Sequence, residues 1–375
     1  MGRKLIIKIL YIFKEGRLDK LNQSDSFPKE FFYSYDYLKN IDEEVDLIEV
    51  TDKSTESRLY NFIDTYFSKF FQISFSTSKL LNIDYLQKIK EAEYIIATNH
   101  GLGVSINLLL FLKRVKNKKI LIINSGLFEV KVQNYLRKKL KNFVIRFTIL
   151  NSEKIIFTSH NEYEYALKKL PRLRKKLFSL PFCIDTDFWN SENLDTSKKE
   201  GILFVGNNEF RDINKLIEIS KSLQDIKFTF VTSLINKSTA LPHNVELIDG
   251  DWNKSIIGDL DLKKFYKAKK LTILPIKDTE ITASGQSVAM QSIAVGTPVI
   301  INYNNGFWDK KNLSVNSGLI LVDNSIEEWT SEIMNIYYDE QKLNNIAVQG
   351  IENIKKNYNQ HKFNIEIAKL CGVVK

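Results

Sequence analysis

The stretch that most constrains the fold is residues 271–303, where an apolar run, a small polar loop, a helical pattern and a second apolar run follow one another. The loop around 283–286 is too small in side chain to belong to a core. Apolar spacing over 287–295 predicts a helix that ends at Gly296, where helices favour glycine. The β-branched run at 299–301 predicts a buried strand. This order of elements predicts a strand–helix–strand unit of a parallel sheet.

The loop in this unit has a composition that suits a phosphate or a diphosphate. A small-residue loop at a helix N-terminus presents backbone N–H groups and the positive end of the helix dipole. The candidate binding residues there are Ser284, Gly285, Gln286 and Ser287. Gln291, one turn into the helix, has an amide that can hydrogen-bond vicinal hydroxyls. An ordinary strand–helix–strand unit with a polar turn is the alternative that the residues leave open.

Strands alternate with helices along the whole chain, which predicts an α/β protein with two doubly wound parallel sheets that face a cleft. A length of 375 residues suits two domains better than one core. We predict an N-terminal domain over 1–188, a polar linker over 189–200, a C-terminal domain over 201–350 and a final helix over 351–375.

Two charged side chains follow predicted strands and are candidates for catalysis. His100 comes after the strand at 92–98, and open α/β sheets bind ligands at the carboxyl ends of their strands. Arg211 follows the strand at 201–206, and a guanidinium can bind two phosphate oxygens at once. A helix-capping histidine and an arginine paired with Asp212 or Glu209 are the structural alternatives.

Positive charge is concentrated in one segment. Residues 101–180 hold 18 Lys and Arg against 4 Asp and Glu, in a chain whose net charge is +9. Basic residues alternate there with Leu and Phe, a pattern typical of membrane-surface binding, so residues 113–176 are predicted to bind an anionic membrane surface. Solvated helix faces are the alternative. No nucleic-acid-binding motif is present, so nucleic acid is not an expected partner.

Three further sequence patterns limit the classes of protein to which this chain can belong. The two cysteines, Cys183 and Cys371, are far apart, which indicates neither a disulfide framework nor a metal site. No signal peptide or membrane-spanning run is evident, so we expect a cytoplasmic protein, peripheral at the inner face of the cell membrane. The aromatic residues over 55–90 have a helical period and are predicted to supply packing.

Residues 284–300, SGQSVAMQSIAVGTPVI, resemble the nucleotide-sugar-binding motif of the retaining glycosyltransferases of family 4, which have the GT-B fold. Residues 181–189, PFCIDTDFW, resemble the segment that closes the N-terminal domain of these enzymes. The resemblance implies that the N-terminal domain binds the acceptor and that the C-terminal domain binds the nucleotide sugar. It also implies that the final helix crosses back to the N-terminal domain.

The resemblance assigns roles to individual residues. Gln291 is expected to contact the ribose, while the loop amides contact the diphosphate and the sugar. Arg211 is expected to stabilise the leaving diphosphate, and His100 and Glu280 to orient the sugar. The implied donor-binding set is Gly16, Gly206, Asn208, Trp252, Lys277, Ser284, Gly285, Gln286, Ser287 and Gln291.

The function that the resemblance implies is metal-independent transfer of a sugar, with retention, from a nucleotide-diphosphate sugar, most simply a UDP-sugar. A saccharide or a lipid-linked saccharide is the expected acceptor, in the synthesis of a cell-surface glycan or glycolipid. No further cofactor is expected, and Asp185 and Asp187, although at DxD spacing, are interpreted as structural. A GT-B nucleotide-sugar epimerase is one alternative. A basic protein that binds membranes or nucleic acid without catalysis is the other.

Overall fold

The computed structural model describes residues 7–21, 27–41, 44–51, 58–128, 134–192, 199–250, 257–278, 281, 283–306, 308–309 and 317–374. The chain forms two compact units. Unit 1 comprises Met1–Ser24, Phe31–Pro181 and His361–Lys375, and unit 2 comprises Asp25–Glu30 and Phe182–Gln360. The main segment of unit 1 thus ends at Pro181, whereas the predicted first domain runs to residue 188. The C-terminal segment that belongs to unit 1 begins at His361 rather than at residue 351.

The sheet of unit 1 has six strands, all parallel, in the order β2-β1-β3-β4-β5-β6. Their bounds are β1 Lys8–Lys14, β2 Glu44–Val50, β3 Tyr94–Ala97, β4 Lys119–Asn124, β5 Lys154–Phe157 and β6 Leu177–Ser179. The inner strands are apolar except at their ends because helices cover a parallel sheet on both faces. The strand order reverses between β1 and β3.

The helices of unit 1 connect these strands. They are α1 Arg17–Leu21, α2 Tyr35–Asn40, α3 Arg58–Phe71, α4 Ile83–Glu91, α5 His100–Leu112, α6 Tyr135–Asn151 and α7 His160–Lys169. Short 3₁₀ helices cover Lys29–Phe32, Ser78–Leu80 and Pro171–Lys176. Polar side chains begin several of the α-helices by accepting first-turn N–H groups, and these caps are Asn82, Asn99, Asn134 and Ser159.

The sheet of unit 2 also has six parallel strands, in the order β12-β11-β10-β7-β8-β9. Their bounds are β7 Ile202–Val205, β8 Phe228–Val231, β9 Val245–Ile248, β10 Leu271–Leu274, β11 Val299–Asn302 and β12 Leu319–Val322. The order reverses between β7 and β10, and open sheets of this kind bind ligands beside the carboxyl ends of the strands at such a reversal.

The helices of unit 2 are α8 Ile213–Ser222, α9 Asp259–Ala268, α10 Gln286–Ala294, α11 Ile326–Tyr337 and α12 Glu340–Asn357. A last helix, α13 Gln360–Leu370, follows, and nearly all of it belongs to unit 1. The prediction of an α/β protein with two doubly wound parallel sheets is confirmed. The single helix expected near the C-terminus is interrupted at Asn359, which pairs with the backbone of Ile184 instead of continuing α12.

Two absences apply to the described part of the chain. No helix there is long and apolar enough to cross a bilayer. No group of three His, Cys, Asp or Glu side chains there is placed to hold a metal ion. Asp185 of the DxD pattern serves the backbone: its Oδ1 accepts the N–H groups of Asp187 and Phe188, and its Oδ2 accepts that of Lys29. This is the structural role predicted for it.

One close backbone contact fixes the position of α10 in unit 2. A Cβ built on Gly350 of α12 would lie 2.7 Å from the Cα of Gly318 and 2.7 Å from Cγ2 of Ile293 in α10. No real side chain fits at that distance, so glycine lets α12 pack directly on the start of β12 and on α10. The contact holds the helix that follows the predicted phosphate-binding loop.

We expect Gly350→Ala to lower the melting temperature by several degrees. Alanine favours a helix over glycine by about 1 kcal/mol, but overpacking against backbone costs about 1–3 kcal/mol. About 1 kcal/mol corresponds to roughly 2–4 °C in domains of this size. Val348→Ala, at an exposed position of the same helix, is the matched control, and differential scanning fluorimetry is the measurement. A melting temperature at or above that of the wild type would contradict the close contact.

Candidate functional site

The loops after β7 and β10 are tied together where the strand order of unit 2 reverses. Arg211, after β7, forms an antiparallel bridge with Ile276, after β10. Two more backbone hydrogen bonds join the loops, from Asp212 N to Pro275 O at 2.9 Å and from Lys277 N to Phe210 O at 2.8 Å. Backbone hydrogen bonds therefore hold together the two loops that carry the predicted phosphate-binding residues.

The Arg211 side chain lies where these two loops meet. Only 4% of its surface is exposed, and its Nη1 donates a 2.8 Å hydrogen bond to Oγ of Ser284. A Cβ on Gly206 would lie 2.2 Å from Nε of Arg211, and one on Gly285 would lie 3.2 Å from Nη1. The φ angles of these glycines are +156° and +89°, in the region that favours glycine. The guanidinium thus lies between two glycines that leave it room.

The charge of Arg211 has no counter-ion among the described residues. Burial lowers the pKa of its guanidinium to about 10, so it stays protonated at neutral pH. Its Nε is buried and has no hydrogen-bond partner in the described part of the chain. The alternative of a surface pair with Asp212 is wrong, because Asp212 caps α8 by accepting the N–H of Lys215 at 3.0 Å. A buried cation without a carboxylate is costly unless an anion binds beside it.

The N-terminus of α10 lies next to this cation. The helix begins at Gln286 after Gly285, and no side chain caps it. First-turn N–H groups have no acceptor within a helix, and the helix dipole places partial positive charge there. Ser284, which accepts the bond from Arg211, directly precedes this turn. A guanidinium beside a helix N-terminus is an arrangement that suits a phosphate. Phosphate binding by the loop stays a prediction.

Two more predicted residues of unit 2, Asn208 and Lys277, lie at the turn before Arg211, and two others are not among the described residues. Asn208 is exposed, and its Oδ1 accepts the N–H of Phe210 at 2.8 Å, which shapes the turn before Arg211. Lys277 is also exposed, and its Nζ donates to the carbonyl of Glu209 at 2.9 Å, which brings a second cation to the same turn. Glu280 and Trp252 lie outside the described residues.

Gln291 makes a contact that the sequence did not predict. It is 5% exposed, and its Nε2 donates a 3.0 Å hydrogen bond to Oε1 of Glu30, a residue 261 positions away that also belongs to unit 2. The same oxygen accepts Nε1 of Trp189 at 2.8 Å, and Oε2 accepts the N–H of Asp185 at 3.3 Å. No local pattern around Glu30 signals this role, because the contact exists only after folding.

The environment of Glu30 favours its neutral form. Burial raises the pKa of the carboxyl group from 4.5 to about 7, although the hydrogen bonds from Gln291 and Trp189 act in the opposite direction. The group therefore changes protonation near neutral pH. A change of charge at Glu30 therefore changes its hydrogen bond with Gln291, the side chain that is predicted to bind the ribose.

In unit 1, Gly16 and His100 follow the two strands between which the order reverses. Gly16 has a φ of +90°, and the next two N–H groups, of Arg17 and Leu18, both donate to Oε1 of Glu49 at 2.5 and 2.9 Å. His100 is the first residue of α5, whose cap is Asn99. The alternative of a helix-capping histidine is therefore wrong.

His100 is held as a neutral base. Its Nδ1 lies 3.1 Å from the carbonyl oxygen of Ser125, so Nδ1 carries the proton and Nε2 is left as an acceptor. Burial lowers the pKa of the imidazole to about 4, the hydrogen bond to Ser125 opposes this, and the charges of Lys14 and Lys141 lower it further. The loop that supplies Ser125 is anchored by buried Glu162, which accepts the N–H of Gly126 at 3.0 Å.

Comparisons with known proteins bear on the fold. No protein-family model matches the chain, and no curated protein matches it. The solved structures that match include a sucrose-phosphate synthase from Thermosynechococcus elongatus, with a TM-score of 0.68 and 14% identity over 97% of this chain and 98% of that one. A glycosyltransferase from Rickettsia africae matches with a TM-score of 0.68 and 13% identity over 98% of both chains.

A third match is HepE from Anabaena in complex with UDP, with a TM-score of 0.67 and 12% identity over 98% of this chain and 100% of that one. Identities of this size establish the fold alone. The chain has the GT-B fold, with two Rossmann-like α/β domains, as the resemblance implied.

The raised pKa of Glu30 predicts a pH dependence of stability. The folded state binds the proton more tightly than the unfolded state, so this group stabilises unit 2 below about pH 4.5, and that contribution is lost as the pH rises to about 7. The loss amounts to about 3 kcal/mol, and Glu30→Gln should remove it. All four tryptophans lie in unit 2, so urea unfolding followed by their fluorescence reports this unit.

The test compares the free energy of unfolding at pH 5 and pH 7.5 in the wild type and in Glu30→Gln. Glu218→Gln, at an exposed position of α8, is the matched control. Parallel pH profiles for the wild type and Glu30→Gln would show that Glu30 is not the group responsible.

Proposed function

We propose that this protein is a glycosyltransferase that takes a sugar from a nucleotide-diphosphate sugar and transfers it with retention of configuration. The observation that carries the proposal is the buried guanidinium of Arg211, which has no counter-ion among the described residues and lies beside the uncapped N-terminus of α10. A diphosphate supplies the negative charge that this site lacks.

The chemistry follows from where charge develops. As the bond between the sugar and the diphosphate breaks, negative charge grows on the leaving phosphate, and donors placed beforehand stabilise it. Arg211 and the first-turn N–H groups of α10 supply those donors, and Lys277 adds a second cation at the same turn. In this proposal the leaving phosphate itself accepts the proton of the acceptor hydroxyl, and no metal ion takes part. Orientation of the sugar by His100 and Glu280 stays a prediction.

The nucleoside is proposed to bind through Gln291. Because Nε2 of Gln291 donates to Glu30, the amide oxygen is the atom left to accept a hydrogen bond from a ribose hydroxyl. Glu30 and Trp189 hold the amide in that orientation. HepE has been solved with UDP and with UDP-glucose, which supports a uridine nucleotide as the donor in a protein of the same fold.

The acceptor is proposed to be a saccharide or a lipid-linked saccharide in the synthesis of a cell-surface glycan or glycolipid. The basic segment 113–176 supports a location at the cytoplasmic face of the cell membrane, where such an acceptor is presented. TarM, a further protein with this fold, has been solved with α-GlcNAc-glycerol and UDP together. That complex supports binding of a uridine nucleotide together with a saccharide in a protein of this fold.

Arg211→Ala is expected to lower turnover at least a hundredfold, because it removes a buried donor to the leaving group. It should also abolish the rise in melting temperature that UDP produces in the wild type. The measurements are UDP release from UDP-sugars and scanning fluorimetry, both with and without EDTA. Lys221→Ala, at an exposed position of α8, is the control and should behave as wild type. If UDP raised the melting temperature of Arg211→Ala as much as that of the wild type, the assignment of the donor site would be contradicted.

Gln291→Ala and Glu30→Ala are both expected to reduce the preference for UDP over 2′-deoxy-UDP. The first variant removes the acceptor of the ribose hydroxyl, and the second releases the amide that presents it. A lost hydrogen bond of this kind costs about 1 kcal/mol, a factor of about five in affinity. Titrations with the two nucleotides give the ratio. If Gln291→Ala loses the preference and Glu30→Ala keeps it, Glu30 does not orient the amide.

A further inference from the structure

Two neighbouring helices of unit 1 bury charged side chains and expose apolar ones. In α3 the buried side chain is Asp64, whose Oδ2 accepts the N–H of Ser78 at 2.7 Å. In α6 Lys141 is buried beside Ile145 and Ile149, and it donates to the carbonyl of Gln72 at 3.5 Å. An ordinary surface helix of a soluble protein has the opposite arrangement.

The exposed apolar residues of α6 form one stripe. Leu136, Leu140 and Phe143 follow the spacing i, i+4, i+7, and Leu150 repeats it one heptad after Phe143, so they lie on one side of the helix. The side that packs on the core holds Ile145 and Ile149, roughly opposite. Phe143 is 67% exposed, which excludes a packing role for its ring within the described part of unit 1.

The exposed apolar residues of α3 form a second stripe. Leu59, Phe62 and Tyr66 follow the spacing i, i+3, i+7, and Phe62 is 69% exposed. The sequence predicted that aromatic residues of this segment supply packing. That holds for Phe67 and Phe71, which pack on the core, but not for Tyr60 and Phe62, which are exposed. Tyr66 stacks on Phe70 of its own helix and is more than half exposed. We call the two stripes together the apolar face: Leu59, Phe62, Tyr66, Leu136, Leu140, Phe143 and Leu150.

The two stripes belong to one surface. The helices α3 and α6 pack against each other, and the guanidinium of Arg137 in α6 lies 5.0 Å from the ring of Phe70 in α3. Phe111, 65% exposed at the end of α5, lies edge to face with Phe147 of α6 at 5.4 Å. Helices α3, α5 and α6 carry 11 of the 21 large apolar side chains that are exposed in the described residues, so the exposure is concentrated.

The charges around the apolar face are almost all positive. Helices α3 and α6 together hold seven Lys and Arg and one acidic residue, Asp64, which is buried. Lys139 and Arg146 lie beside the apolar stripe of α6 by helical spacing. An apolar stripe flanked by cations matches an anionic bilayer, whose headgroups attract the cations while the apolar side chains enter the boundary with the acyl chains.

We propose that the apolar face docks unit 1 on a lipid bilayer that contains anionic lipid, with α3 and α6 lying in the plane of the interface. Phe62 and Phe143 enter the acyl boundary, and Lys139 and Arg146 contact the headgroups. The inference builds on the membrane location within the proposed function. It adds the elements that insert, one of which, α3, lies outside the basic segment 113–176. Docking of the apolar face on the bilayer requires neither a donor sugar nor an acceptor.

Vesicle flotation of the full chain tests the proposal. Vesicles of phosphatidylcholine alone and vesicles with about a third phosphatidylglycerol are the probes, at low and at physiological salt. The wild type should float with the anionic vesicles only. Phe62→Ser combined with Phe143→Ser should weaken binding at least tenfold at both salt concentrations, since two inserted rings are lost. Lys139→Gln combined with Arg146→Gln should weaken it mainly at low salt, where the charge contacts that are lost are least screened.

The matched control is Ile83→Ser combined with Leu260→Ser, which removes two exposed apolar residues outside the apolar face and should bind as wild type. Every variant is also tested for the rise in melting temperature with UDP. A wild type that floats without responding to UDP would count against the donor site and not against the apolar face. Absence of flotation, or full binding by the double phenylalanine variant, would overturn the proposal. So would a wild-type dimer that this variant converts to a monomer, which would assign the face to a second copy of the chain.

Discussion

The buried cation of Arg211 is the constraint on which the arrangement of the loops after β7 and β10 in unit 2 depends. The guanidinium of Arg211 is removed from water at the carboxyl edge of the sheet, and its only described side-chain partner is a neutral hydroxyl, that of Ser284. Such an ion is stable only where the backbone leaves room for it and an anion can bind. Gly206 and Gly285 provide the room, the bridge to Ile276 joins the loops, and α10 brings its positive end to the same point.

A second buried ionisable group, the carboxyl group of Glu30, connects distant parts of the chain within unit 2. Its two carboxylate oxygens accept hydrogen bonds from Gln291 on α10, from Trp189 and from the backbone of Asp185. Segment 181–189, which resembles a domain-closing element, is thereby connected to the helix that follows the phosphate-binding loop. A carboxyl group whose pKa is about 7 at this position makes the charge next to Gln291 depend on pH near neutrality.

Unit 1 presents a different physical problem, because α3 and α6 each bury one charged side chain and leave large apolar side chains exposed. Burying Asp64 and Lys141 costs free energy that their hydrogen bonds to Ser78 and Gln72 offset only in part. Exposing Phe62 and Phe143 to water forgoes the gain from burying them. The second of these costs is removed once the exposed stripes face lipid. A transferase with a lipid-linked acceptor needs its acceptor domain at the bilayer, so the two proposals are physically consistent.

The sequence alone determined the two parallel sheets, because buried β-branched runs and helix caps such as Asn99 and Asp212 act locally. It also indicated Arg211 and the loop 284–287 as candidates for anion binding, since a small-residue turn before a helix presents free backbone N–H groups. Only the tertiary structure decided that Arg211 is buried rather than paired at the surface, and that Gln291 bonds to Glu30, 261 residues away. It alone decided which aromatic residues of α3 pack and which face outward. A helical period indicates only that side chains share a face of the helix, whereas the contacts of the folded chain decide whether that face packs on the core or is exposed.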